Sequence, residues 1–138
     1  MAQKRENIIH KYLFGHPFRT DSVVADIPVS AGEAPYLVRS QDETGEVFRY
    51  ALSEEDRVYG LGEQVRGIDK RGWVYASWNM DDPEIHENRQ SLYASHNFLV
   101  VDGKEKFGVF VDSPGKVVYD IDYTTRGEMA IFCGRDFG

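Results

Sequence analysis

The sequence predicts an all-β fold, an antiparallel β-sandwich. Short runs of β-branched and aromatic residues recur about every ten residues, separated by Gly, Pro, Asp and Asn. One run alternates with a period of two, with Val117, Tyr119, Ile121 and Tyr123 as its apolar members, as a half-buried strand does. A chain of 138 residues with 41% apolar residues can bury a real core. We therefore expect a single β-sandwich domain over residues 1–138.

The first third of the chain contains four candidate strands. Residues 7–14 fit a short helix or an edge strand, and their aromatic content favours a strand. Residues 23–29 form a second candidate, which ends in a proline and a Ser-Ala-Gly turn. Residues 35–39 and 47–52 flank the sequence Asp42-Glu43-Thr44-Gly45, which predicts a hairpin with a loop of four or slightly more residues.

The last third of the chain contains four more strands. Residues 97–101 lead to Asp102-Gly103, a strong hairpin signal because both residues accept positive φ, and residues 107–111 return. The alternating run follows, and residues 129–132 form a last short strand. Ser53 and the acidic residues after it form a polar corner, where a serine could cap one helical turn.

The region between these two sets, residues 58–101, is rich in Gly, charge and aromatic residues. Long connections in compact domains are usually functional or disordered, and the aromatic residues Trp73, Tyr75 and Trp78 argue against disorder. We interpret this region as a folded, displayed loop. Its aromatic residues either form a platform on which a sugar ring stacks or belong to a strand with one face in the core.

Composition excludes several classes of function. The net charge of −7 and the lack of a basic stripe exclude a nucleic acid partner. The charged N-terminus leads to no long apolar run, so we expect neither a signal peptide nor a membrane partner. The single Cys133 indicates a reducing compartment, and we expect the cytoplasm. The four histidines lack zinc-ligand spacing, so we expect no metal and no cofactor.

Two glycines in the region, Gly60 and Gly62, have only a superficial likeness to a phosphate-binding pair. The next glycine is Gly67, so the spacing of the dinucleotide fingerprint fails. We predict a bulge or close backbone packing instead. Ser95 lacks the flanking glycines of a nucleophile elbow, and no complete set of catalytic residues can be assembled.

Asp81 and Asp82 are adjacent carboxylates that follow Trp78 closely. Glycosidases need two carboxylates facing each other, roughly 5 to 9.5 Å apart, which neighbouring residues of an extended loop do not provide. Two interpretations remain open: one carboxylate that binds a sugar hydroxyl, or a turn that begins at Asp82-Pro83.

The chain resembles the N-terminal domain of glycoside hydrolase family 31, in particular of its compact bacterial α-glucosidases. The resemblance covers nearly the whole chain and is densest from residue 58 to residue 113. It rests on the order and spacing of five motifs: Tyr59-Gly60-Leu61-Gly62-Glu63, Lys70-Arg71-Gly72, Asp81-Asp82-Pro83, Leu92-Tyr93-Ala94-Ser95-His96-Asn97-Phe98 and Phe107-Gly108-Val109-Phe110.

The resemblance implies a galactose-mutarotase-like sandwich that precedes a catalytic (β/α)8 barrel. It also implies retaining hydrolysis of α-linked glucosides by two barrel aspartates, which have no counterpart in this chain. The loop of residues 73–83 would complete the substrate pocket, with Asp81 as the substrate-binding carboxylate, Asp82 as its rival, and Trp78 and Asn79 on the rim. The chain would then be an N-terminal domain that is inactive alone.

Two alternatives remain. The loop could bind sugar independently, as a carbohydrate-binding module without catalysis. A mutarotase-like activity would need a general acid and a general base, for which only Glu63, His86 and His96 are candidates. Because the barrel would leave a face of the sandwich uncovered, we also expect a homo-oligomer through the barrel-facing surface or the C-terminal edge.

Overall fold

The computed structural model describes residues 10–15, 28–62, 67–77, 95–111 and 115–134. Within these ranges every regular element is a β-strand, which confirms the all-β prediction. None of the described residues forms a helix of the length and apolarity that crossing a membrane requires. The strands are β1 (Val38–Asp42), β2 (Gly45–Ala51), β3 (Arg57–Gly62), β4 (Trp73–Ser77), β5 (Ser95–Asp102), β6 (Lys106–Phe110), β7 (Val117–Ile121) and β8 (Glu128–Gly134).

The strands form two antiparallel sheets. One sheet has five strands in the order β1-β2-β8-β7-β4, and the other has three in the order β3-β5-β6. The sheets contact each other between β4 and β5, and the ring of Tyr50 meets that of Phe107 edge to face at 4.9 Å. The predicted antiparallel β-sandwich is therefore confirmed.

The core lies between the inner faces of the two sheets, and β7 shows how alternation produces it. Val117, Tyr119 and Ile121 are at most 1% exposed, as the period of two predicts. Tyr123 lies beyond the end of the strand and is 51% exposed. The prediction therefore holds for three of these residues and fails for the fourth, because the chain turns at Asp122, whose φ is +55°.

The β1–β2 hairpin is tighter than predicted. Asp42 pairs directly with Gly45, so only Glu43 and Thr44 connect the strands. The Asp42 carboxylate accepts hydrogen bonds from the Thr44 N–H at 2.8 Å and from the Gly45 N–H at 3.1 Å. Such a local side-chain acceptor closes a short turn without help from the rest of the fold.

The β5–β6 hairpin is confirmed, but the predicted reason for its glycine is wrong. The strands pair as far as Asp102 and Lys106, and the φ of Gly103 is not positive. A Cβ at position 103 would lie 2.6 Å from the Asp56 Cα and closer still to the Asp56 carboxylate. A side chain packed from another turn, rather than backbone conformation, requires glycine there.

The chain divides into two compact units, residues 37–137 with the sandwich, and residues 1–36 with residue 138. In the unit of residues 1–36, Lys11 and Val29 form an isolated parallel bridge. The Ser30 N–H donates to the Lys11 carbonyl at 2.8 Å. The strand predicted over residues 7–14 is therefore reduced to one bridge in its described part. Most of the strand predicted over residues 23–29 lies outside the described residues, and the single domain over residues 1–138 stays a prediction.

Candidate functional site

The four residues predicted to bind substrate, Trp78, Asn79, Asp81 and Asp82, lie outside the described residues. What the structure describes are the strands on either side, β4 and β5. The intervening segment leaves β4 at Ser77 and enters β5 at Ser95.

Strand pairing and a hydrogen bond between the sheets, from the Tyr119 hydroxyl of β7 to Asn97 Oδ1 of β5, assign both of these residues to one end of the sandwich. Ser77 pairs with Val117 at the start of β7, and Ser95 pairs with Gly62 at the end of β3. β4 and β5 belong to different sheets but contact each other. We call this end the loop end. The segment with the predicted site residues therefore begins in one sheet and ends in the other at the same end.

The strand that leads to this segment, β4, carries two of the three aromatic residues of the predicted platform, Trp73 and Tyr75. Tyr75 is 1% exposed and belongs to the core, so it cannot stack on a sugar. Trp73 is half-buried, and its ring meets the exposed ring of Tyr123 edge to face at 5.1 Å. Of the two described residues of the predicted platform, Tyr75 belongs to the core and Trp73 lies partly at the surface.

A bulge at the end of β3 confirms the structural interpretation of Gly60 and Gly62. The pairing of β3 with β5 shifts between these glycines, and Leu61 has a φ of +65°. A Cβ on Gly60 would lie 2.9 Å from the Leu99 Cα and closer still to a carbonyl oxygen. The bulge thus turns the side chain of Leu61 into the core, where it is 1% exposed.

Lys70 is a buried cation that the sequence reasoning missed. The residue is 6% exposed, and its Nζ donates to the Gly67 carbonyl at 2.8 Å and lies 5.7 Å from the centre of the Tyr75 ring. Burial lowers the pKa of this ammonium group below its usual value. The only signal in the sequence was the position of Lys70 within a family motif.

The opposite end of the sandwich carries a polar cluster that joins four turns. Its members are Asp56, Arg71 and Asp122, and we call this cluster the clasp and its end the clasp end. The Arg71 guanidinium donates to the Ser53 carbonyl at 2.6 Å and to the Asp56 carbonyl at 2.8 Å. It also pairs with the Asp122 carboxylate at 3.2 Å.

The Asp56 carboxylate completes the clasp. It is 0% exposed and accepts from the Ser53 N–H at 2.8 Å and the Lys104 N–H at 2.9 Å. Burial favours its neutral form, but these hydrogen bonds and the charge of Arg71 together keep the pKa of Asp56 below its usual value. The predicted polar corner at Ser53 is therefore a turn that Asp56 closes.

The second carboxylate of the clasp, Asp122, lies in the turn between β7 and β8. It accepts from the Gly127 N–H at 2.6 Å as well as from Arg71. Burial opposes its ionisation, whereas the Gly127 N–H and the charge of Arg71 favour it, and the pKa of Asp122 is lowered on balance. Every donor and acceptor named here is used within the fold, which is typical of structural polar groups.

The candidates for acid–base chemistry are not brought together in the described part of the chain. His96 is exposed on β5, while Glu63 and His86 lie outside the described residues. Among the residues that the structure describes, no group of three His, Cys, Asp or Glu side chains could hold a metal ion.

Comparison with known proteins identifies the domain. The family described as the glycosyl hydrolase 31 N-terminal galactose mutarotase-like domain matches residues 12–120. The chain belongs to this family. The resemblance predicted from the five motifs and the galactose-mutarotase-like fold are therefore confirmed.

Relatives of this family 31 domain are glycosidases by name. An α-glucosidase of Bacillus thermoamyloliquefaciens is 34% identical over 84 residues, which cover 59% of this chain and 11% of the relative. An α-xylosidase of Emericella nidulans is 28% identical over 126 residues, which cover 88% of this chain and 15% of the relative.

Solved structures show the same fold. A dextranase of Flavobacterium johnsoniae, solved with glucose, has a TM-score of 0.60 at 24% identity over 67% of this chain and 11% of its own. A cycloalternan-degrading enzyme from Trueperella pyogenes, solved with isomaltose, has a TM-score of 0.56 at 20% identity over 62% of this chain and 12% of its own. The family 31 domain thus spans between 11% and 15% of the length of these four proteins.

Proposed function

We propose that this domain completes the substrate pocket of a glycoside hydrolase that acts on α-linked glucosides with net retention. The catalytic aspartates would lie on a (β/α)8 barrel, and this chain would contribute residues 73–83, of which Trp73–Ser77 form the strand β4 rather than a loop. The observation that carries the proposal is the family membership over residues 12–120. The two relatives that resemble it in sequence are named for cleaving α-linked sugars.

The topology supports this use of the loop. The strand that precedes residues 78–83, β4, pairs with β7 over the whole length of β4. The Arg71 side chain of the clasp fixes the turn before β4. The residues after Ser77 therefore extend from a rigid strand at the loop end. A loop on a rigid scaffold can orient a substrate so that remote binding energy serves the reaction.

Asp81 is proposed to orient sugar hydroxyls as a charged hydrogen-bond acceptor, with Asp82 as the rival position and Trp78 and Asn79 beside it. The test is hydrolysis of an aryl α-glucoside and an aryl α-xyloside by the protein extended through its downstream coding sequence. We expect D81A to lower kcat/KM about tenfold or more, since a hydrogen bond to a charged group is worth about 1.5 to 3 kcal/mol.

The matched control is D102A, which removes a carboxylate that is bound to Lys106 at the clasp end. We expect it to leave kcat/KM within about twofold. A large effect of D82A with none of D81A would assign the role to the rival position. The purified 138-residue chain is expected to show no turnover, and hydrolysis by it would overturn the proposal.

Independent sugar binding is the second candidate, and one observation favours it. The ring of Tyr123 is 51% exposed and is held edge to face against Trp73, so it presents a fixed aromatic face to an apolar sugar face. Titration of the isolated chain with maltose and isomaltose, followed by nuclear magnetic resonance, tests it. Saturable shifts that Y123A abolishes would support a binding module, and their absence would exclude one.

The location in the cytoplasm stays a proposal. It rests on the single cysteine, Cys133, which is buried. Burial, and secondarily the charge of Glu46, raises the pKa of the Cys133 thiol to about 11, so the group stays protonated at neutral pH.

A further inference from the structure

Lys70 places an ammonium group inside the sandwich, where the described part of the chain offers it few acceptors. The residue is 6% exposed, and burial lowers its pKa. An ammonium group has three N–H donors, and among the described residues only the Gly67 carbonyl accepts from Lys70 Nζ, at 2.8 Å. A buried charge with so few acceptors costs free energy that an apolar side chain would not. Stability alone therefore does not account for a lysine at this position.

The contacts of Lys70 join three segments of the fold. Its backbone N–H donates to the Val58 carbonyl of β3 at 2.8 Å, so the residue is fixed to the three-stranded sheet. Its Nζ closes the turn that begins at Gly67. The same Nζ lies 5.7 Å from the centre of the Tyr75 ring in β4, within the range of a cation–π interaction. Because β4 belongs to the five-stranded sheet, Lys70 connects the two sheets.

Tyr75 extends this connection to the strand beside it. Tyr75 and Tyr119 lie directly opposite each other in the pairing of β4 with β7, and both are 1% exposed. Directly opposite side chains on one face of a sheet interact with each other. The Tyr119 hydroxyl donates to Asn97 Oδ1 of β5 at 3.0 Å. A row of four side chains therefore runs from Lys70 through the two tyrosines to Asn97, and we call it the polar row.

The polar row includes a residue from each of the strands that flank the predicted site residues. Tyr75 comes two residues before Ser77, the last residue of β4, and Asn97 comes two residues after Ser95, the first residue of β5. We call residues 78–94, which connect these strands, the site segment. The contacts that fix Tyr75 and Asn97 relative to each other therefore also fix the two ends of the site segment.

We propose that Lys70 is a positioning residue for the substrate pocket, because it holds both ends of the site segment in place through the polar row. The proposal rests on the proposed function and adds to it a residue outside residues 73–83. In some proteins a buried polar group is retained because it specifies one conformation rather than because it adds stability. The ammonium group acts in this way through the Tyr75 ring, whose position sets where β4 ends. A displacement of about 1 Å at a substrate-positioning group can lower a rate about 100-fold.

The first test compares stability with activity in K70M, which removes the charge and keeps an unbranched side chain. In the protein extended through its downstream coding sequence, K70M is expected to lower kcat/KM for an aryl α-glucoside about fivefold or more. The melting temperature of the 138-residue chain is expected to stay within about 4 °C of wild type or to rise, because a buried charge is lost. A K70M chain that fails to fold would make Lys70 a stability residue and overturn the proposal.

The matched control is K106M, the same substitution at a lysine whose side chain is 74% exposed. It is expected to leave kcat/KM within about twofold, since exposed ion pairs contribute little. Equal losses of activity in K70M and K106M would indicate a general effect of removing positive charge and would count against the polar row.

A double-mutant cycle separates positioning from general damage. If Lys70 acts through the placement of Asp81, K70M lowers kcat/KM in the wild-type background but changes it by less than about twofold in the D81A background. D82A takes the place of D81A in this cycle if the rival position carries the role. Full, independent losses in both backgrounds would show that Lys70 does not act through the site segment and would overturn the proposal.

Hydrogen exchange of backbone amides in the 138-residue chain gives a readout that requires no activity. K70M is expected to speed exchange in β4 about fivefold or more and to leave β2 and β8 unchanged, because the substitution loosens β4 locally. Exchange in β4 that matches wild type would contradict the proposal.

The kinetic results distinguish failure of this inference from failure of the proposed function. A large effect of D81A or D82A with none of K70M would overturn the inference alone. The absence of an effect in both aspartate variants would overturn the proposed function, and the inference with it.

Discussion

At the clasp end, side chains hydrogen-bond to backbone groups of three turns, whereas toward the loop end β5 and β6 carry the exposed rings of Phe98 and Phe110. At the clasp end, Arg71 donates to two carbonyl groups and a carboxylate. The Asp56 carboxylate accepts hydrogen bonds from two backbone N–H groups. Phe98 and Phe110, by contrast, are about half exposed or more. One end satisfies its polar groups within the domain, and the other leaves two large aromatic rings exposed.

The difference indicates that the clasp end serves mainly the stability of the domain, whereas the loop end is available for function. Binding residues are commonly found on loops that a rigid scaffold positions. The clasp lies at the opposite end of β4 from Ser77, so the scaffold can be secured without side chains near the loop. We therefore expect substitutions in the clasp to change mainly stability and substitutions in residues 78–83 to change mainly substrate use.

The largest effect is expected from R71L, which removes the cation of the clasp. The Asp122 carboxylate, whose side chain is 13% exposed, and the two carbonyl groups lose their donor. The free energy of unfolding is expected to fall by about 3 kcal/mol, measured by urea unfolding. The control R126L changes an exposed arginine of the neighbouring turn and is expected to cost less than about 0.5 kcal/mol. Similar losses for both would contradict the role of the clasp.

G103A is expected to have the next largest effect, a loss of about 2 kcal/mol in the free energy of unfolding. The new methyl group would collide with the Asp56 backbone and carboxylate, so the hairpin must move away from the turn. G67A is the matched control, because a Cβ at Gly67 meets nothing within 4 Å. If G103A and G67A lowered the melting temperature equally, the general backbone effect of replacing glycine by alanine, rather than packing on Asp56, would be the cause.

Acid is expected to weaken the clasp in a way that D56N reveals. The folded-state pKa of Asp56 lies below its usual value of 3.8, so the unfolded chain binds more protons at low pH. The stabilisation by the carboxylate is complete above about pH 4 to 5 and is lost as the pH falls through the folded pKa.

Urea unfolding as a function of pH measures this effect. At pH 7, D56N is expected to cost about 1 to 2 kcal/mol, because an amide replaces one acceptor oxygen opposite backbone N–H groups. The difference between wild type and D56N should shrink as the pH falls below 4. A difference independent of pH would show that the charge of Asp56 is not what stabilises the turn.

The smallest effect is expected from Y119F, toward the loop end. The Tyr119 hydroxyl donates to Asn97 Oδ1 at 3.0 Å and joins the two sheets. Its loss is expected to cost about 1 kcal/mol, measured by thermal unfolding. Y123F removes an exposed hydroxyl and is expected to be neutral. A cost for Y119F above that of R71L would reverse the proposed ranking of the two ends.

Local sequence patterns were sufficient for β1, β2 and β5 to β8, whereas β3 and β4 lie in the region that the sequence led us to interpret as a displayed loop. The alternation in β7 and the Asp-Gly signal between β5 and β6 reflect side-chain periodicity and turn chemistry, which act over a few residues. The same signals did not find the clasp, whose members Asp56, Arg71 and Asp122 are far apart in the chain. In the sequence, Arg71 stands out only as part of a family motif.

The candidate site divides in the same way. Family membership was predictable from the order of the motifs, because motif order survives in the chain itself. The predicted loop of residues 73–83 was placed too early, since its first five residues form β4. The roles of Asp81 and Asp82 stay predictions, since both residues lie outside the described ranges. Tyr75 shows why a stacking residue cannot be chosen from spacing, because the same alternation fits a core strand.

The sequence by itself determined that the chain is an all-β domain of this family, with β1, β2 and β5 to β8 near the observed places. Periodicity, turn residues and motif order are properties of neighbouring residues, so folding is not needed to find them. Only the tertiary structure decided why position 103 must be glycine, which end the site loop extends from, and which aromatic residues face outward. Those facts depend on contacts between residues that are distant in the chain, and the packing of the two sheets is what brings such residues together.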